Sequence, residues 1–138
     1  MSTMPTLFVS HGGPNVVLDE FEAHFFLKGL QSFTPRPSAI VINSAHFEGQ
    51  GPGVVHDPNP EMIYDFGGFD DALHQMVYAA PGHPQLAETV TGLLKEAGHM
   101  PKPVAHRGFD HGVWNPLILA FPQADIPVVQ VSVDPQSD

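Results

Sequence analysis

The sequence predicts an α/β fold with a mostly parallel sheet and helices on both faces of that sheet. The run 39–44 is a continuous, β-branched stretch, typical of a strand buried on both faces, and 127–133 is a second apolar run with strand character. Segments with helical periodicity separate the strand-like runs, and strands that alternate with helices form parallel sheets. No internal repeat or linker divides the chain, so we expect one domain over residues 1–138.

In the first half of the chain, two strands are predicted on either side of a helix. The apolar run 5–10 has strand character and stops at the turn-forming residues 11–14. A helix is predicted over 18–31, because apolar side chains recur there at near-helical spacing, at Leu18, Phe21, Phe25 and Leu30. Prolines then break the chain before the strand at 39–44.

The second half begins with a loop over 49–60, which contains at most a short strand at 54–55. Three helices are predicted after it, at 69–78, 84–98 and 115–121, and the last strand is at 127–133. The helix at 84–98 has the strongest signals, with Pro84 at its start, one apolar face along its length and Gly98 at its end.

Composition excludes several classes of function. Fifteen acidic residues against five basic ones give a net charge of −10, which disfavours nucleic-acid and membrane partners because both carry negative charge. The absence of cysteine excludes disulfides, thiolate metal sites and a cysteine nucleophile. No Walker A loop, G-x-G-x-x-G or G-x-S-x-G motif is present. We therefore expect a soluble, cytoplasmic domain.

The end of the sequence indicates a truncated fold. A predicted strand finishes at Val133, yet only residues 134–138 follow it, whereas a parallel sheet ordinarily continues into a helix and another strand. We therefore expect the chain to be the N-terminal part of a longer catalytic domain. The last strand would then lack partners, and self-association through the incomplete sheet is expected.

Nine histidines are the main compositional signal for chemistry, and two of them follow predicted strands directly. His11 and His46 would lie beyond the carboxyl ends of strands, where open α/β sheets bind ligands. Two imidazoles brought together there could hold a divalent metal ion with open positions for substrate. A third, His111, lies in a predicted loop and could act as an acid or base, although from spacing alone a loop-stabilising role fits it better.

Several motifs occur together and in one order, and they carry a family resemblance. They lie at residues 7–14, 44–48, 63–69, 108–114 and 122–130, with the sequences LFVSHGGP, SAHFE, IYDFGGF, GFDHGVW and PQADIPVVQ. With this set the chain closely resembles the class III extradiol ring-cleavage dioxygenases, specifically the branch named for 4,5-DOPA dioxygenase. The resemblance extends from residue 4 to 134.

The resemblance implies a LigB-like fold, a mononuclear non-haem metal and a catechol-type substrate cleaved with dioxygen. Iron(II) is the metal expected of the family, and zinc(II) occurs in some members of this branch. His11 and His46 match two family ligands, whereas His111 matches the active-site histidine that handles protons. The third ligand, another histidine, is expected beyond Asp138.

Two aromatic residues, Tyr64 and Trp114, lie within the matching motifs and are predicted to bind the substrate. Two alternatives stay open beside the dioxygenase. One is a non-catalytic metal-binding or interaction module on the same scaffold, and the other is a zinc-dependent hydrolase that uses the same histidines.

Overall fold

Short parallel strand pairs lie at the centre of the fold. In the computed structural model, which describes residues 3–137, strand β1 (Ile40–Ile42) pairs in parallel with β4 (Val128–Gln130). Strand β2 (Gly53–Val55) pairs in parallel with β3 (Lys102–Val104), and an antiparallel bridge between Val54 and Val131 connects the two pairs. The extreme ends of the predicted domain, and the ligand expected beyond Asp138, lie outside the described residues.

Three α-helices accompany the strands in residues 3–137. They are α1 (Glu22–Lys28), α2 (Pro84–Glu96) and α3 (His111–Ala120), and short 3₁₀ helices occur at Pro14–Val17, Leu30–Ser32 and Asp71–Gln75. Within residues 3–137, no helix is long and apolar enough to cross a membrane.

The helices cover both faces of the strand layer, as the sequence predicts. On one face, α2 packs three partly buried side chains, those of Leu86, Val90 and Leu94, against the apolar cluster that contains Val129. On the other face, α1 and α3 contribute to a larger cluster that contains Val128. Neighbouring residues of β4 therefore face opposite sides, because side chains alternate along a strand. The fold class is confirmed.

The predicted strand at 5–10 is wrong for the described chain. Residues 5–10 form no strand, and the side chain of Phe8 is fully exposed. A strand needs a neighbour that takes up its backbone N–H and C=O groups, and none of the four described strands runs beside this segment.

The predicted helices differ from the observed ones mainly at their ends. The helix expected at 18–31 is reduced to α1, which begins after an extended Phe21 and ends at Gly29. The helix expected at 69–78 is a short 3₁₀ helix, Asp71–Gln75. Helix α3 begins at His111 instead of Asn115, because the Asp110 side chain caps it and Pro116 lies inside the helix.

Two predictions about strands also require correction. Strand β3 was not predicted, because it is short and contains Pro103, which is unusual in a strand. The last strand was expected to lack partners, but β4 pairs with β1, and all three of its residues are buried. Its burial removes the reason given for self-association through that strand.

Candidate metal centre

Three histidines from separate parts of the chain come together in one cluster. His11 follows the extended N-terminal segment, His46 follows β1, and His111 is the first residue of α3. One ring nitrogen from each lies within 4.8 Å of the other two. His111 is therefore not in the loop that the sequence predicts, but at the start of a helix that holds its backbone in place.

The spacing of His11 and His46 fits two ligands of one ion. Their Nε2 atoms are 3.2 Å apart. Two nitrogens bound to one tetrahedral metal at about 2.0–2.1 Å are separated by roughly 3.3 Å. Burial and the neighbouring His111 ring lower the pKa of His11, which favours the neutral form that binds metals. The donor set and its spacing therefore fit a divalent transition metal.

His11 depends on a tight turn that Gly12 makes possible. Gly12 has a φ of +67°, in the left-handed region that side chains with a Cβ rarely adopt. The 3₁₀ helix Pro14–Val17 begins two residues later, with Gly13 as its N-cap. From α3, the Nδ2 group of Asn115 donates a hydrogen bond of 3.3 Å to the carbonyl of Gly13. The loop that carries His11 is thus attached to the helix that carries His111.

His111 is oriented by a carboxylate. Asp65 Oδ1 accepts hydrogen bonds from His111 Nδ1 at 2.9 Å and from the His111 backbone N–H at 3.0 Å. Partial burial alone would raise the pKa of Asp65, but these hydrogen bonds outweigh it and the pKa is lower than usual. An ionised carboxylate only accepts hydrogen bonds, so the proton of the neutral imidazole is on Nδ1. Nε2 is then free to accept a proton or to bind a metal.

Both carboxylate oxygens of Asp110, the residue before His111, accept hydrogen bonds from groups outside the cluster. Its side chain is 1% exposed. Oδ1 accepts hydrogen bonds from Ser44 Oγ and from the backbone N–H of Gly112, and Oδ2 accepts one from Arg107. With both oxygens used in this way, Asp110 caps α3 and is not among the three residues of the cluster.

The two predicted substrate-binding residues lie behind a third aromatic ring. Phe66 is next to the cluster, with its ring centroid 5.8 Å from that of His111. Tyr64 and Trp114 pack on Phe66 at 6.4 and 6.2 Å, and Trp114 is completely buried. Each polar group has a backbone partner: Tyr64 Oη donates to the carbonyl of Met76, and Trp114 Nε1 to that of Ile63.

Sequence reasoning missed the residues that hold the histidines. Asp65 lies in a motif that was considered for its aromatic residues, and Ser44 and Arg107 carried no signal of their own. The signal available for Ser44 was its place at the end of the apolar run 39–44. That run was predicted as a strand buried on both faces, but β1 ends at Ile42 and Val41 is half exposed. The pairing of Asp65 with His111 spans 46 positions, so local spacing does not reveal it.

Comparisons with known proteins agree on one family. Residues 5–136 match the family described as "Catalytic LigB subunit of aromatic ring-opening dioxygenase". The chain is 46% identical over 136 residues to a protein of Escherichia coli K12 named 4,5-DOPA dioxygenase extradiol, and the match covers 95% of this chain and 48% of that protein. It is 43% identical to a Beta vulgaris protein of the same name, with 96% and 51% covered.

A solved structure agrees with these matches. An uncharacterized protein from Escherichia coli K12 superposes with a TM-score of 0.67 at 37% identity, over 88% of this chain and 44% of that one. The chain thus spans about half the length of the curated relatives it matches.

Proposed function

Because the chain belongs to the LigB family of aromatic ring-opening dioxygenases, we propose that it carries the metal-binding and proton-transfer residues of an extradiol dioxygenase. The proposed substrate is a catechol-type ring, and the co-substrate is dioxygen. The observation that carries the proposal is the convergence of His11, His46 and His111 on one point, with two nitrogens at the separation expected of ligands to a single ion.

In this proposal His11 and His46 hold a divalent ion, with iron(II) expected and zinc(II) as the alternative. When bound, the metal supplies Lewis-acid and redox chemistry to a chelating catechol and to dioxygen. Neutral imidazoles suit both ions. A third ligand would come from the part of the family fold that this chain does not span.

His111 acts as the general acid and base. Its Nε2, the ring nitrogen that is not paired with Asp65, accepts a proton from a hydroxyl of the bound catechol and later returns it. The carboxylate of Asp65, 2.9 Å from Nδ1, stabilises the imidazolium that forms and keeps the ring in one orientation. Such a group typically contributes about 10²–10⁴-fold in rate.

An aromatic wall would hold the substrate ring. Phe66 is the ring next to His111, and Tyr64 and Trp114 fix Phe66 from behind. We propose that Tyr64 and Trp114 contribute to substrate binding indirectly, by holding Phe66 in place. The face or edge of the Phe66 ring is suited to contact with another aromatic ring. The cytoplasmic location expected from composition stays a prediction.

The experiment measures metal content and oxygen uptake together. The chain is loaded anaerobically with Fe²⁺, freed of excess metal, and mixed with DOPA or 4-methylcatechol under ¹⁸O₂. Extradiol cleavage places one atom of dioxygen in the new carboxylate and the other in the new aldehyde. The product should therefore contain two ¹⁸O atoms when analysed at once, and one after the aldehyde oxygen exchanges with water. His46→Ala should lose the metal, whereas His99→Ala, which removes an exposed histidine outside the cluster, should behave like the unmodified chain.

Other outcomes contradict the proposal. Stoichiometric metal binding without oxygen uptake, in this chain and in a version extended to the full family length, would favour the metal-binding module. Hydrolytic activity with bound zinc and no oxygen uptake would favour the hydrolase. No metal binding at all in either protein would eliminate the centre itself.

A further inference from the structure

One buried carboxylate connects His46 with the start of helix α3. Asp110 immediately precedes His111 and caps the helix through the backbone N–H of Gly112, at 2.8 Å. The same oxygen accepts a 2.6 Å hydrogen bond from Ser44 Oγ. Ser44 lies just beyond β1, two residues before His46. Asp110 therefore links the loop that carries one histidine to the helix that carries another.

The peptide groups of His46 are held on both sides by partners of this carboxylate. The backbone N–H of His46 donates to Ser44 Oγ at 3.1 Å, and its carbonyl accepts from Arg107 Nη2 at 3.2 Å. Arg107 Nη2 also donates to Asp110 Oδ2 at 2.9 Å. The Arg107 guanidinium lies 4.1 Å from the centre of the Phe47 ring, which positions it further. Both attachments of His46 thus end on Asp110.

These hydrogen bonds restrict the backbone of His46, which would otherwise be expected to be mobile. The His46 side chain is exposed and belongs to a loop after a strand of three residues. Packing alone would not fix its ring. At Gly112, a Cβ atom would collide with Ser44 Oγ and approach His46 Cδ2 to 3.1 Å. The loop and the first turn of α3 are therefore in close contact, and glycine permits that contact.

We propose that Asp110 is a positioning residue: it fixes the loop of His46 to helix α3, to which Asn115 also attaches the loop of His11, and it thereby sets the separation of the two proposed ligands and the metal affinity of the centre. It acts through Ser44 and Arg107 and does not itself contact the ion. The inference rests on the proposed metal centre. Partners of ligands beyond direct contact typically change metal affinity by about 10–100-fold when removed.

The test uses Zn²⁺ as a probe and does not depend on turnover. Ser44→Ala removes the hydroxyl that bridges Asp110 and His46, and Asp110→Asn keeps an oxygen for the helix cap but replaces the acceptor of Arg107 by an amide nitrogen that cannot accept. Each variant should bind Zn²⁺ about 10–100-fold more weakly, measured by competition with a chromophoric chelator. The visible spectrum with Co²⁺ should change as the ligand geometry loosens.

Asp70→Asn is the matched control. Asp70 also caps a helical turn, through a 2.9 Å hydrogen bond from the backbone N–H of Ala72, but it is outside the histidine cluster. This variant should leave Zn²⁺ affinity within about twofold of the unmodified chain. Circular dichroism of each metal-free variant confirms that it is folded before affinity is measured.

A double variant separates positioning from general loosening. Because Ser44 and Asp110 belong to one path, the combined loss of affinity should be far smaller than the product of the single losses. Independent losses that multiply would overturn the inference, as would folded variants with unchanged affinity. If Asp110→Asn does not fold, the Zn²⁺ affinity of Ser44→Ala alone tests the positioning role. An unmodified chain that binds no Zn²⁺ would refute the proposed centre, whereas a chain that binds it equally tightly with or without Ser44 refutes only the positioning role.

Discussion

His46 and His111 lie side by side, with ring centroids 4.1 Å apart, yet they have different surroundings. His111 has a carboxylate on Nδ1, whereas the Nε2 of His46 faces that of His11. We expect His111→Ala in the metal-loaded, catalytically active protein to retain the metal and to lose turnover by about 10²–10⁴-fold. His46→Ala should lose the metal. Elemental analysis beside oxygen uptake distinguishes the two roles, and a metal-free His111→Ala would make His111 a ligand.

Asp65 allows a finer test of the acid–base role. Asp65→Asn keeps the size of the side chain but removes the charge that stabilises a protonated His111. We expect kcat to fall while metal content and KM for the catechol stay close to those of the unmodified protein. Asp71→Asn, an exposed acidic residue nearby in sequence, serves as the control. A fall in metal content in Asp65→Asn would show that Asp65 supports a ligand instead of a base.

For individual residues, the sequence predicts the candidate histidines better than the residues that form hydrogen bonds to them. His11 and His46 were identified because each follows a predicted strand, even though the segment before His11 forms no strand. The partners that fix the rings come from distant parts of the chain, as Arg107 and His46 do across 61 positions. Long-range hydrogen bonds of this kind have no periodicity that a single sequence displays.

Among the elements, helix α1 packs against α3 and the first 3₁₀ helix, and this packing should be sensitive to a change in side-chain size. Leu27 of α1 is completely buried in the larger apolar cluster, whereas Leu93 of α2 is 59% exposed. We expect Leu27→Ala to lower the free energy of unfolding by about 2–5 kcal/mol, and Leu93→Ala to change it by less than about 0.5 kcal/mol. Urea denaturation measures both. Equal effects would mean that α1 does not dock as described.

The element boundaries show which signals are local. Helix α2 was predicted almost to its ends, because Pro84 and the apolar spacing act within the helix itself. Pro116 indicated a helix start for α3, but a cap formed by Asp110 together with Asp65 moves the start to His111. The run 5–10 has strand composition, yet a strand forms only beside a partner, and composition does not specify one.

For the whole molecule, exposed apolar side chains are numerous. Phe25 and Phe26 of α1 are about half exposed, Phe33 is 68% exposed, and Phe8 is fully exposed. The rings of Phe26 and Phe33 are neighbours, with centroids 6.2 Å apart, and exposed apolar surface promotes association. Because β4 is buried, we expect self-association to occur through these exposed phenylalanines and not through the edge of the sheet. Sedimentation velocity should show larger species as the concentration rises, and Phe25→Ser with Phe26→Ser should reduce them more than Met100→Ser, which removes another exposed apolar side chain. A monomer at every concentration would contradict the prediction.

The hydrogen bonds at the first turn of α3 should affect how often this turn opens to solvent. Its first amides, those of His111 and Gly112, donate to Asp65 and Asp110. Asp65 also bonds the ring of His111, and Asp110 holds the loop of His46 through Ser44. If an ion binds as proposed, its occupancy and the opening of this turn are thermodynamically linked, and an ion at about 100 times its Kd would stabilise the closed state by about 2.7 kcal/mol. Hydrogen–deuterium exchange of these two amides should slow on addition of Zn²⁺, while amides in the middle of α2, on the opposite face, should keep their rates.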